Sequence, residues 1–86
     1  MIELEEVEME VLSLLLFPER FESIVEESEK AENEHVVADA LKNLIHKKLI
    51  VSGFINEKNV FEPSAFYDSD AMKRSAFKAT GKGLAV

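Results

Sequence analysis

The side chains best suited to chemistry in this chain are two histidines, two aspartates and a lysine between two glycines. His35 and His46 are about three helical turns apart, roughly 16 Å, which is too far for one metal ion to bridge within a helix. Asp68 and Asp70 match the opening of a calcium loop, but its central glycine and closing glutamate do not follow. Residues 81–83 lack the spacing of a phosphate loop, and no serine, histidine and acid pattern indicates a triad. We therefore expect no catalytic residues, no metal site, no cofactor and no enzymatic activity.

Composition narrows the class of protein. The chain has no cysteine, which excludes disulfides, thiolate chemistry and zinc sites with sulfur ligands. Its 86 residues suffice for one domain with one modest core. No apolar run approaches the roughly 20 residues of a membrane span, and the amino terminus does not resemble a secretory signal. The sequence predicts a single domain over residues 1–86 that is soluble, cytoplasmic and independent of membranes.

Charge is divided unevenly along the chain. Residues 1–34 contain twelve glutamates against Arg20 and Lys30, a balance of −10, whereas residues 35–86 contain eight lysines and arginines against five acids, a balance of +3. These sums give the net charge of −7. Such a division would orient the molecule in the field of a polyanion. It is equally explained by the preference of glutamate for solvated helix.

Three helices must position any binding residues. Apolar residues recur every three or four positions between glutamates, which predicts a helix over about 3–17. Pro18 ends it and suits the first turn of a second helix over about 18–29. Asn33 is a suitable cap for a third helix over about 34–48.

The third helix has an apolar and a polar side. Successive steps of about 100° place Val37, Leu41, Leu44 and Ile45 toward a core. The opposite side carries His35, Val36, Asp39, Lys42, Asn43 and His46. Lys47 and Lys48 fall in the last turn, where complementing the helix dipole explains them. That explanation does not cover Lys42 and Asn43.

Helix one carries a second apolar row of Met9, Leu12 and Leu16 at the edge of its main apolar face. This row is wider than one small core requires. Two interpretations remain open: a broadly buried helix, or an exposed contact between the two copies of a homodimer.

Strands follow the third helix. "LIVSGFI" is β-branched and apolar, "NEKN" indicates a turn, "VFE" a second short strand before Pro63, and "SAFKAT" a returning strand. Together they predict a β-hairpin over about 49–80. The run 56–73 is long for a simple turn, so its tip is extended, mobile, or contains an additional strand.

Three helices followed by a β-hairpin are the layout of a winged helix-turn-helix domain, an α+β fold. The segment 19–50 resembles the helix-turn-helix core of bacterial winged-helix regulators at Ile24, Val37, Leu41, Leu44, Leu49 and Ile50. The segment "DSDAMKRSAFKATGKGLA" is similar to the wing of the multiple-antibiotic-resistance-regulator (MarR) type, with Thr80, Lys82 and Gly83 in its closing motif.

The resemblance implies a transcriptional regulator that binds double-stranded DNA, with helix 34–48 in the major groove and the wing 56–75 on backbone or minor groove. The six polar-side residues of the third helix would then face the groove. Among them, Asn43 could pair with adenine and Lys42 could reach guanine or a phosphate. Lys58, Lys73 and Arg74 are the candidate wing contacts to phosphate.

The alternative is a protein-interaction module on the same fold that binds no DNA. It is favoured by the overall acidity, by Asp39 on the outward face and by the row of Met9, Leu12 and Leu16. A hydrophobic groove or an acidic helix face would then dock a basic partner.

Overall fold

The computed structural model describes residues 4–29, 31, 33–64 and 74–85. Within these ranges the chain forms four helices and one four-stranded antiparallel sheet, an α+β fold. The helices are α1 (Glu6–Leu14), α2 (Phe21–Glu27), α3 (Glu34–His46) and α4 (Gly81–Leu84). The strands are β1 (Glu19–Arg20), β2 (Ile50–Ile55), β3 (Phe61–Pro63) and β4 (Ala76–Ala79).

Helix α1 is shorter than the predicted range 3–17. The Leu15 amide bonds to the Leu12 carbonyl at 3.0 Å, which tightens the last turn. The Leu15 carbonyl then accepts from the Ala79 amide, also at 3.0 Å. Because this carbonyl bonds to β4, the chain leaves the helix at this point, and the prediction that α1 extends to Phe17 is wrong.

The segment between α1 and α2 forms a strand that the sequence analysis did not predict. Pro18 is followed by β1, which pairs with β4 in antiparallel register and places Glu19 opposite Phe77. Helix α2 begins after this strand, at Phe21. The prediction that Pro18 opens the second helix, with bounds of about 18–29, is therefore wrong.

The start of α3 is the one that the sequence predicted. The Asn33 side-chain oxygen accepts hydrogen bonds from the amides of His35 at 2.9 Å and Val36 at 3.2 Å. These contacts supply side-chain acceptors to two amides of the first turn, as a helix cap does. The predicted cap and the predicted first residue are confirmed.

Helix α3 ends at His46, two residues before the predicted end, in a Schellman motif. The Lys48 amide bonds to the Ile45 carbonyl at 2.9 Å, and the Leu49 amide bonds to the Leu44 carbonyl at 3.0 Å. Lys48 has a φ of 63°, in the left-handed region that favours glycine. The chain turns at this lysine from α3 into β2.

The sheet has the order β1-β4-β2-β3, so that β2 is bonded on both sides. Ser52 of β2 lies opposite Phe77 of β4, and Phe54 lies opposite Glu62 of β3. The two later strands predicted near residues 60–62 and 75–80 are thus confirmed. The sequence leaves open whether the tip within 56–73 is extended, mobile or contains an additional strand. Residues 65–73 of that run lie outside the described residues.

One hydrophobic core lies between the three longer helices and one face of the sheet. Its largest fully buried side chains are Phe77, Leu15, Ile24, Leu41, Leu44, Leu49, Ile50, Val11 and Val37. Every longer helix and both central strands contribute, so the outward face of α3 is held on a packed base. No helix in the described part of the chain has the length and apolar character needed to cross a membrane.

Candidate nucleic-acid interface

Helix α3 presents a polar face to solvent, and the predicted DNA-contacting residues of this helix lie on it. The helix buries Val37, Ala40, Leu41 and Leu44. On the other side His35, Asp39, Lys42, Asn43 and His46 are exposed, and Val36 is half-buried. The structure therefore brings the predicted residues of this helix together on one surface.

The exposed residues of the three longer helices differ in charge. Helix α2 exposes Glu22, Glu26 and Glu27, and α1 exposes Glu6 and no cation. Helix α3 exposes Lys42 beside Asp39, and it alone among these described helices exposes a lysine. Because like charges repel, a phosphate backbone meets less repulsion at α3 than at α1 or α2.

A buried carboxylate lies at the edge of the α3 face. Glu8 of α1 is 2% exposed, and its Oε1 accepts from the Glu5 amide at 3.0 Å. Lys47 Nζ lies 3.3 Å from the same oxygen, and the nearby Asn43 side chain makes the smallest contribution to lowering the pKa of this carboxylate.

The environment of Glu8 determines its charge. Burial alone would raise the pKa of Glu8, but the Glu5 amide and the Lys47 ammonium hold that pKa below its ordinary value. The carboxylate is therefore ionised at neutral pH. Since it neutralises the neighbouring Lys47, this lysine adds little net positive charge to the α3 face.

The hairpin formed by β2 and β3 has a tightly bonded tip. The Asn56 side-chain oxygen accepts from the amides of Lys58 at 2.9 Å and Val60 at 3.1 Å. The Asn56 amide donates to the Val60 carbonyl at 2.9 Å, and Asn59 takes a φ of 63°. Lys58, a predicted wing contact, is exposed at this tip.

The other two predicted wing contacts precede β4. Arg74 is exposed, and Lys73 lies outside the described residues. Because Ala76 pairs with Gly53 in antiparallel β4 and β2, the chain before Ala76 lies at the end of the sheet where β2 leads to the hairpin tip. Arg74 and Lys58 therefore belong to the same end of the molecule.

The apolar row predicted on α1 is divided by the fold. Met9 and Leu16 are 57% and 59% exposed, whereas Leu12 is 8% exposed and belongs to the core. Neither interpretation of the row therefore holds for all three residues. Leu12 is buried where α4 packs over it at Gly83, and an added Cβ there would lie 3.3 Å from Leu12 Cδ1.

A groove of about 310 Å³ runs between α1 and α4, and we call it the α1–α4 groove. Its lining includes Leu4, Met9, Leu12, Leu16, Gly83 and Leu84. Leu84 is 56% exposed. The sequence analysis did not include α4 in any site, although Thr80 gave a signal: a threonine before "GKGL" is a suitable helix cap, and its Oγ1 accepts from the Gly83 amide at 3.1 Å.

The described residues contain no group of three histidine, cysteine or acidic side chains that could hold a metal ion.

Comparison of the chain with protein-family models, with curated proteins and with solved structures found no match in any of the three.

Proposed function

We propose that this chain is a winged helix-turn-helix domain that binds double-stranded DNA, with α3 as the recognition helix and residues 56–75 as the wing. The element order supports this assignment, since three helices are followed by antiparallel strands that return to the core. The carrying observation is the outward face of α3, which alone among the longer described helices exposes a lysine.

The proposal assigns different tasks to the basic residues. Lys42 lies in the middle of the exposed face of α3, where it reaches either a guanine edge or a phosphate. Lys58 at the hairpin tip and Arg74 before β4 contact phosphates. A regulator of transcription would use Lys42 to select the DNA sequence, and Lys58 and Arg74 to orient the domain on the duplex.

The same surface sets a limit on affinity. Asp39 is exposed on the α3 face, and Lys47 is neutralised by Glu8. Few phosphates are then neutralised by one copy, so binding should be weak and should fall as salt is added. A second copy on the same duplex would double the number of phosphate contacts.

The test is fluorescence anisotropy of a labelled random-sequence duplex at about 50 and 200 mM salt. We expect binding at the lower salt, a steep loss at the higher, and a decrease of about 1 in the salt slope for Lys42→Glu. The matched control is Lys78→Glu. Lys78 is exposed on β4 between the buried Phe77 and Ala79, so it projects from the sheet face opposite the helices.

Two results would contradict the proposal. The first is no binding to the duplex at about 50 mM salt. The second is equal binding by Lys42→Glu and the unsubstituted chain, which would show that α3 does not contact the nucleic acid.

A further inference from the structure

Three large apolar side chains are exposed to solvent around the α1–α4 groove. Met9 and Leu16 on one wall and Leu84 on the other are each more than half exposed. Leu12 and Gly83 form the floor between them. A contiguous apolar surface of this kind, next to polar residues, is typical of a contact site for another molecule.

The lining of the groove follows α1 and the residues on either side of it. On the α1 side, its lining runs from Leu4, just before the helix, through Met9 and Leu12 to Leu16, just after the helix. Met9 and Leu12 are three residues apart on one face of α1, and Leu16 follows in the turn after the helix. An amphipathic helix laid along such a wall inserts apolar side chains at i, i+3 or i+4, and i+7.

The charges around the α1–α4 groove indicate the charge of a helix that would bind in it. Glu5 and Glu6 are exposed at the first turn of α1, beside the Leu4 end of the groove. Residues 11–18 carry no charge, and Lys82 of α4 is the exposed cation next to the lining residues in sequence. A second copy of this chain would bring a net charge of −7 and the same glutamates. A helix with lysine or arginine around its apolar face would instead be attracted to this end.

We propose that the α1–α4 groove binds a basic amphipathic helix of a partner protein. The apolar side chains of that helix pack against Met9, Leu16 and Leu84, and its basic residues lie near Glu5 and Glu6. This site is on a different surface from the α3 face, so it operates whether or not the chain binds DNA.

The test uses the full chain and a fluorescein-labelled synthetic peptide of about 18 residues, with leucines on one helical face and lysines elsewhere. A matched peptide carries glutamate in place of lysine. We expect the lysine peptide to bind and the glutamate peptide not to bind. Leu84→Asp and Met9→Asp should each weaken binding at least about tenfold, since a charge in the contact must be desolvated.

Matched controls separate the groove from general attraction to an acidic protein. Val60→Asp alters a side chain on the hairpin that is 53% exposed, close to the 56% of Leu84, and it should leave binding unchanged. Glu5→Lys with Glu6→Lys should weaken binding. Glu22→Lys with Glu26→Lys on α2 should not. Circular dichroism of each variant verifies that it is folded.

Three outcomes would overturn the proposal: no binding of the lysine peptide, equal loss in the groove and hairpin variants, or a homodimer in sedimentation that Leu84→Asp dissociates. The last result would assign the groove to a second copy. Lys42 lies outside the groove, so Lys42→Glu should bind the lysine peptide as the unsubstituted chain does. This variant therefore separates failure of the groove proposal from failure of the DNA-binding proposal.

Discussion

Lys47 and Glu8 join the end of α3 to the first turn of α1, with Nζ 3.3 Å from Oε1. The Glu8 side chain is 3% exposed and that of Lys47 is 33% exposed, so the carboxylate is removed from water while the ammonium remains partly hydrated. Since the pair lies at the edge of the α3 face, it helps to fix the orientation of that face relative to α1.

Replacing Lys47 with methionine should destabilise the fold by about 1 to 3 kcal/mol, because the buried Glu8 carboxylate then has no cation beside it. The free energy of unfolding in urea, followed by circular dichroism, measures this. Lys42→Met is the matched control, since Lys42 is exposed on the same helix and its removal should change stability by less than about 0.5 kcal/mol. Equal values for the two variants would show that the ion pair does not stabilise the protein.

The contribution of Glu8 should depend on pH. Its pKa is lower in the folded chain than its ordinary value, so its stabilisation is complete above the unfolded-state pKa of about 4.3 and is lost as pH falls through the folded-state pKa. The difference in unfolding free energy between the unsubstituted chain and Glu8→Gln should therefore narrow between pH 7 and pH 3.

The pKa of Glu19 is shifted in the opposite direction to that of Glu8. Burial and then the charge of Glu27 raise the pKa of Glu19, so its ionisation disfavours the folded state as pH rises. Because Glu19 is present in both proteins of the Glu8 comparison, its effect cancels in the difference. A difference that is constant from pH 7 to pH 3 would contradict the assignment of the lowered pKa to Glu8.

Gly83→Ala should destabilise the protein by about 1 to 3 kcal/mol, because a Cβ at this position would collide with the Leu49 carbonyl oxygen and press on Leu12. Gly81→Ala is the matched control in the same short helix, since a Cβ there has no neighbour within 4 Å. Thermal unfolding of the two variants compares them. If Gly81→Ala lowered the melting temperature as much as Gly83→Ala, close packing of α4 would not be the cause.

Lys48→Gly should stabilise the fold by up to about 1 kcal/mol. Lys48 has a φ of 63° at the end of α3, a conformation that costs a residue with a Cβ roughly 1 kcal/mol and costs glycine little. Lys48→Ala separates conformation from charge, because alanine removes the ammonium and keeps the Cβ. We expect no gain in unfolding free energy for alanine, and equal gains for both variants would assign the effect to charge instead.

Some elements could be predicted because their causes are local. Asn33 caps α3 through hydrogen bonds to amides two and three residues away, so the cap is visible as a residue type at a fixed spacing. The helical periodicity of apolar and polar residues similarly identified the buried and exposed sides of α3. These features depend on short-range geometry, which a sequence pattern records directly.

Other elements could not be predicted because their causes are distant in sequence. Glu19 enters a strand because β4, nearly sixty residues later, offers it backbone partners. Leu12 is buried because α4 packs over it, although its position on α1 is at the edge of the apolar face. Glu8 is one glutamate among many in the first half of the chain, and Lys47 is the contact that distinguishes it.

Local sequence patterns were enough to predict the α+β class, the start of α3 and its polar side, since these follow from hydrogen bonds and periodicity within a few residues. Contacts between distant segments determine which glutamate is buried, which leucine of the row Met9, Leu12 and Leu16 remains exposed, and where α4 completes a groove. Each of these depends on side-chain packing and backbone pairing between segments far apart in the chain, which local spacing does not encode.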